Sequence, residues 1–341
     1  MAKKIITVLG VTGTQGGSVA ERFLSHPDWL VRGVTRNPGS PKAKNWASRG
    51  VQLFQGDYDD VQSLKAAFLG AHAIFAVTDW ASNHARVTAD AALQDKARAA
   101  GRTFEEYAGD LETAQGINVA TAAAEPVVLR TLERFVFSTL PAVRDISRGE
   151  IVHSWEFDSK AAAEKYMRAL PPLSRVLSTV TMGIFQETWR DIPAFRPRRR
   201  PDGTFELLRL RAAAGSHVAD PLVVASRDTG AFVEALVLDH PTGTDVLGAS
   251  AVLSREEYAA LWGRTLGVEA SVRDVSEDEY RRYVPEDIQV TLLDDLKFFA
   301  EYGYTGGNAK VKLPGELGIK TTPLEEYIRA QDWSLVLSGE M

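Results

Sequence analysis

Cysteine is absent from the 341-residue chain, which removes disulfides, thiolate nucleophiles and zinc–thiolate clusters from consideration. Long apolar runs are missing too. No segment approaches the ~18 residues of a membrane-spanning helix, and Met1-Ala2-Lys3-Lys4 enters its first apolar stretch without a leader of signal length. A cytoplasmic protein without membrane contact is the expectation. Dense positive charge is scarce: the formal charge is -6 and Arg196 to Arg200 is the only concentrated cationic run, so direct nucleic-acid binding is not expected. The six histidines, His26, His72, His84, His153, His217 and His240, show no metal-ligand spacing, and no metal site is expected. Neither G-x-S-x-G nor H-E-x-x-H occurs, which leaves serine-hydrolase and zinc-protease chemistry without support.

What is present is an alternation of apolar runs and helical stretches, the pattern of a parallel sheet covered on both faces. Strands are expected over residues 4–10, 30–35, 51–55, 73–77, 134–138 and 174–181. A helix after Gly16 would turn Val19, Phe23 and Leu24 inward, a second spans 61–69, and a third, over 112–124, would lay Ile117, Ala120 and Ala124 on the sheet. Right-handed crossovers make this an α/β, doubly wound Rossmann domain. Residues 81–110 read as an inserted helical stretch without assigned function. Ser254 with Glu257, Ser276 with Glu279 and Thr322 with Glu325 have the spacing of helix starts. They lie in a smaller α/β lobe over the carboxyl ends of the strands. The expected division is 1–182 for the first domain and 183–341 for the lobe, with some of its segments returning to the sheet.

Between the first strand and first helix stands Gly10-Val11-Thr12-Gly13-Thr14-Gln15-Gly16. A dinucleotide's pyrophosphate needs backbone amides and a helix N-terminus close by, and Gly10, Gly13 and Gly16 allow that approach. After the second strand, Thr35-Arg36-Asn37 offers a cation where an NAD site would place a carboxylate. Arg36 can pair with a 2′-phosphate, so the expected cofactor is NADP(H). Asp57, followed by Tyr58, would meet adenine or close an Asx turn. Thr78 and Asp79 would lie beside the nicotinamide ribose.

These segments, with Phe157-Asp158-Ser159-Lys160 and Phe185-Gln186-Glu187, give a chain that resembles the NmrA-like family, an atypical branch of the short-chain dehydrogenases. The resemblance implies NADP(H) binding through Thr12, Gly13, Thr14, Gln15 and Gly16, with Arg36, Asp57, Thr78, Lys160 and the segment near Phe185. Family members fall into reductases of small metabolites and regulators that report redox poise to a protein partner. A small-molecule substrate or a regulatory protein partner is therefore expected.

Short-chain dehydrogenases commonly place a tyrosine four residues before the active lysine. Here Lys160 is present and position 156 is glutamate. Three replacements for the tyrosine are open: Lys160 neutralised by burial, Glu156 protonated by burial, or a group from the smaller lobe. Ser138, at the end of the fifth strand, is placed to hold a substrate carbonyl or to cap the strand. His153 lies close enough in sequence to shuttle protons, and Phe185, Trp189 and Phe195 could wall an apolar pocket or fill the core. An NADPH-dependent reductase of a small apolar carbonyl, enone or imine is the leading expectation, with a non-catalytic redox sensor as the alternative.

Overall fold

The computed structural model describes residues 2–211 and 219–341; His217 lies outside the described residues. The strands are β1 (Lys4–Leu9), β2 (Trp29–Thr35), β3 (Gln52–Gln55), β4 (Ala73–Ala76), β5 (Arg134–Thr139), β6 (Leu177–Met182), β7 (Ile184–Phe185), β8 (Arg198–Arg199), β9 (Phe205–Leu210), β10 (Asp220–Val223), β11 (Asp245–Gly248), β12 (Ala251–Leu253), β13 (Ala270–Val275) and β14 (Val311–Lys312). Eight of them form one sheet in the order β14-β11-β6-β5-β4-β1-β2-β3, with every neighbouring pair parallel. The order reverses between β1 and β4, and a ligand crevice opens at such a reversal, outside the carboxyl ends of the strands.

Period-two alternation gives each face its own core. Ile6, Val8, Phe75 and Val136 meet the helices Thr14–Leu24 and Ala225–Leu238 on one side. Ile74, Ala76, Phe135 and Phe137 meet Val61–Phe68, Phe104–Ala123 and Trp155–Ala169 on the other. The remaining strands build two small sheets, β12-β10-β7 and β13-β9-β8, around a separate core containing Trp189, Trp262 and Trp333. This is the doubly wound domain and smaller C-terminal lobe of the sequence reading.

Several local expectations are corrected. Residues 81–110 are ordered as the helices Trp80–Ala89 and Ala91–Ala99 and the first turns of Phe104–Ala123. The helix expected from residue 112 begins eight residues earlier. Thr103 Oγ1 accepts from the Glu106 amide at 3.2 Å, and the Glu106 carboxylate accepts from the Thr103 amide at 3.0 Å, a reciprocal cap that starts it. Its buried face runs through Glu112, Gln115, Gly116, Val119, Ala120 and Ala123, which leaves Ile117 and Ala124 half-buried at its margin. The strand expected from 174 begins at Leu177 because Pro171–Ser174 closes a helical turn. Ser254 and Ser276 cap their helices as expected. Thr322 does not, because the Asp228 carboxylate takes its amide at 3.0 Å and its hydroxyl at 2.7 Å.

Candidate functional site

A cavity of about 850 Å³ runs from the turn after β2 to the smaller lobe. Its floor is the glycine turn. Gly10 holds φ at +64°, and a Cβ on Gly16 would collide with the Gly10 carbonyl, so the close strand-to-helix turn excludes other residues. The helix starting at Thr14 receives no side-chain cap from Gly13, leaving its first amides available to an anion. Thr12, Thr14 and Gln15 line the cavity beside them.

At one end, Arg36 is exposed, lines the cavity and makes no ion pair among the described residues. Asn37 turns its Oδ1 onto the Gly39 amide at 3.0 Å, and Asp57 Oδ1 accepts from the Asp59 amide at 3.0 Å. Both order Asx turns while bordering the cavity. Tyr58 lies beneath, and burial, then the Asp79 carboxylate, raises its phenol above the usual range. Thr78 is 3% exposed at the cavity wall, and its Oγ1 is buried without a hydrogen-bond partner. An open helix start, a glycine cradle, an unpaired guanidinium and an orphaned hydroxyl along one trough fit a phosphorylated dinucleotide.

Sequence reasoning missed how the helices 80–89 and 104–123 complete the rim. Gln115 donates to Asp59 at 2.9 Å and accepts from Asn83 at 2.8 Å, while Arg86 bonds Asp59 at 2.8 Å and Asn83 at 3.0 Å. It also missed the partner of Lys160. The Lys160 ammonium donates to Glu112, whose other carboxylate oxygen accepts from the Ser159 hydroxyl. Both charges are withdrawn from solvent, at 10% and 0% side-chain exposure. A carboxylate on a helix face made mostly of Ala, Gly and Val was the available signal.

Glu156 stands one turn before Lys160 on the same helix and borders the cavity. Burial pushes its carboxyl up; the Lys160 ammonium pulls it down, and Glu112 and Asp79 add to the rise. From the helix Gln289–Tyr302 comes Asp295, also at the cavity wall and raised well above the usual range by burial and then by Glu156. Beyond them lie Phe185, Phe195 and Tyr304, whose hydroxyl donates to the Met182 carbonyl. Nothing in the spacing near Lys160 pointed to Asp295. Its one signal is a carboxylate sharing a helical stripe with Thr291 and Phe298.

For three residues with open roles the structure shows the partners. Ser138 donates to Gln15 at 2.7 Å, so its hydroxyl fixes the turn rather than pointing unpartnered at a substrate. His153 does not border the cavity; its Nδ1 pairs with Asp294 at 2.9 Å. Trp189 belongs to the core of the smaller lobe, stacked on Trp333 with centroids 4.1 Å apart.

Fold and site together define a doubly wound α/β protein with a dinucleotide-type cleft shared between two lobes. The chain belongs to the NmrA-like family, whose match spans residues 2–328. It is 35% identical over 166 residues to the NmrA-like family domain-containing oxidoreductase hkm9 of Aspergillus hancockii, covering 48% of this chain and 42% of that protein. Against the oxidoreductase lnaB of Aspergillus flavus it is 27% identical over 80% of this chain and 76% of that one. The chain thus spans less than half of the first relative and three quarters of the second. Among solved structures, NmrA, a negative transcriptional regulator in complex with NADP, shares the fold at TM-score 0.71 and 21% identity, covering 100% and 98% of the two chains. A NADPH-dependent quinone oxidoreductase of Escherichia coli complexed with NADPH does so at 0.66 and 18%, covering 95% and 98%. Among the described residues no helix is long and apolar enough to cross a membrane, and no cluster of three potential metal ligands occurs.

Proposed function

We propose that this protein binds NADP(H) along the trough from Arg36 to Lys160 and reduces a small, largely apolar carbonyl, enone or imine. The carrying observation is that the cavity continues past Thr78 into a chamber walled by Phe157, Phe195, Leu292 and Phe299. The whole cavity, at about 850 Å³, is of a size to hold ligands. The NADP- and NADPH-bound neighbours and the oxidoreductase names of the relatives agree with this reading.

Residues 1–182 act as the cofactor domain and 183–341 mainly as the substrate lobe. Bound NADPH would supply the hydride. Thr12, Gly13, Thr14 and Gly16 hold the pyrophosphate, Arg36 the 2′-phosphate, and Asn37, Asp57 and Tyr58 border the adenosine. Thr78 bonds the nicotinamide ribose, and Phe185 closes its far side. Ser138 acts through Gln15. Lys160, fixed by Glu112, orients the ribose end, while Glu156, whose carboxyl burial pushes up, borders the reacting end of the cavity.

The glutamate in place of tyrosine also favours a regulatory reading, in which a protein partner distinguishes NADPH from NADP⁺. The two are separated by following NADPH absorbance with a panel of apolar carbonyls, enones and imines. Turnover of one class, reduced by Glu156→Gln more than cofactor affinity is, supports the reductase. No oxidation of NADPH, together with a Lys160→Ala variant that changes cofactor affinity alone, overturns it.

A further inference from the structure

Three aromatic rings meet at the far wall of the chamber: the centroids of Phe299 and Tyr304 are 4.7 Å apart, those of Phe157 and Phe299 5.7 Å, and those of Phe157 and Tyr304 6.1 Å. Glu156 and Asp295 reach the same wall from different helices. Asp295 is 2% exposed, and its Oδ1 has no hydrogen-bond partner. Glu156 makes no hydrogen bond or ion pair through its side chain among the described residues.

The cations lining the cavity match these acids only in part. Lys160 is held by Glu112, Arg86 by Asp59, and Arg36 lies beyond the glycine turn. The chamber therefore presents two carboxyl groups and aromatic faces beside a single cation, Lys160, which acts on Glu156 but is already paired with Glu112. A buried carboxylate without a counter-ion is costly, and a cationic ligand against ring faces relieves that cost.

We propose that the substrate supplies the missing charge: it is an aromatic or largely apolar iminium, seated between Glu156 and Asp295 against the rings of Phe157, Phe299 and Tyr304. This rests on the NADPH-reductase reading and selects the C=N member of its substrate classes. The reaction balances without a proton donor. Bound NADPH would supply the hydride for the C–H bond at the iminium carbon, the C=N π pair would withdraw to nitrogen as a lone pair, and a neutral amine and NADP⁺ would result. A ketone reduced in the same place would need a proton on oxygen, and an ionised carboxylate would oppose the developing alkoxide. Glutamate in place of tyrosine thus suits a cation that needs charge matching more than an oxygen that needs a proton.

The experiment is calorimetric titration of the full chain, with and without saturating NADP⁺, using N-methyl-3,4-dihydroisoquinolinium and the neutral ketone 2-tetralone. The cation should bind ~10-fold or more tightly than the ketone, in keeping with a charge pair in a partly buried site. Asp295→Asn and Glu156→Gln should each weaken the cation ~10-fold and leave the ketone within ~2-fold. Thermal melts establish that each variant is folded, and Glu156→Gln carries the test if Asp295→Asn does not fold. Equal binding of the two probes to the wild type, or equal losses for both in the variants, overturns the proposal. Absence of NADP⁺ binding in the parallel titration overturns the cofactor reading instead, whereas cation selectivity in the cofactor-free protein still supports the acid pair.

Discussion

Lys160 and Glu112 are linked more tightly than their separation in sequence suggests. Both charges are withdrawn from water, and each is compensated chiefly by the other. Removing one partner strands the other. Lys160→Met should cost ~3–5 kcal/mol in urea unfolding, while the double variant Lys160→Met/Glu112→Gln should recover most of that loss. A double variant no more stable than the single would show that the pair does not hold this site together. Arg36 has the opposite character, exposed and without an internal partner. Its substitution should leave the fold intact while removing a charge-assisted contact to the 2′-phosphate. Arg36→Ala should weaken NADPH binding ~10–100-fold and leave NADH nearly unchanged in fluorescence titrations, the size expected for hydrogen bonds to a charged group. Equal loss of both nucleotides would place Arg36 away from the 2′-phosphate.

Lys160 meets Glu112 because the helices Phe104–Ala123 and Trp155–Ala169 pack closely, and Gly116 sets that approach. A Cβ there would collide with Ala163 Cβ. Gly116→Val should therefore destabilise the protein by ~1–3 kcal/mol through overpacking. Gly116→Ala combined with Ala163→Gly should melt closer to wild type than Gly116→Ala alone; equal melting temperatures for the two would assign the closeness to other contacts. The helix carrying Gly116 also shows where sequence legibility stops. Its start was written in Thr103 and Glu106, a spacing of the same kind recognised at Ser254 and Glu257, but the Ala- and Arg-rich stretch before it masked the signal. Gly10, Gly16 and Arg36 were legible because a local turn dictates each of them. Glu112 and Asp295 were not, because their roles depend on which helix faces which across long stretches of sequence, 48 residues between Glu112 and Lys160, and that is decided by packing. Thr322 failed for a related reason: a distant buried carboxylate, Asp228, competes successfully for the groups a helix cap would use.

At the scale of the whole molecule, Glu156 from the helix 155–169 and Asp295 from the helix 289–302 bring two carboxyls into one buried space. Burial is the largest influence on Asp295, followed by the like charge of Glu156; the Ser154 hydroxyl opposes the rise, and Asp294 on its own helix and Asp158 on the helix 155–169 add to it. Tyr304 faces both acids, Asp294 is matched by His153, and Lys160 acts on Glu156 from beside it. The folded chain therefore binds the Asp295 proton more firmly than the unfolded chain does. The stability this confers is complete below the ordinary aspartate range near pH 4 and drains away as pH rises from there through the elevated folded value. Asp295→Asn keeps the shape and has no charge to bury, so it escapes that loss. Its melting temperature should gain on the wild type as pH rises from 5 to 8, by several degrees, with a difference at pH 8 larger than that at pH 5. Parallel profiles would mean that Asp295 is already ionised in the folded chain at pH 5, with its charge compensated from within the protein. In that case the chamber would have no unmet need for a cationic ligand.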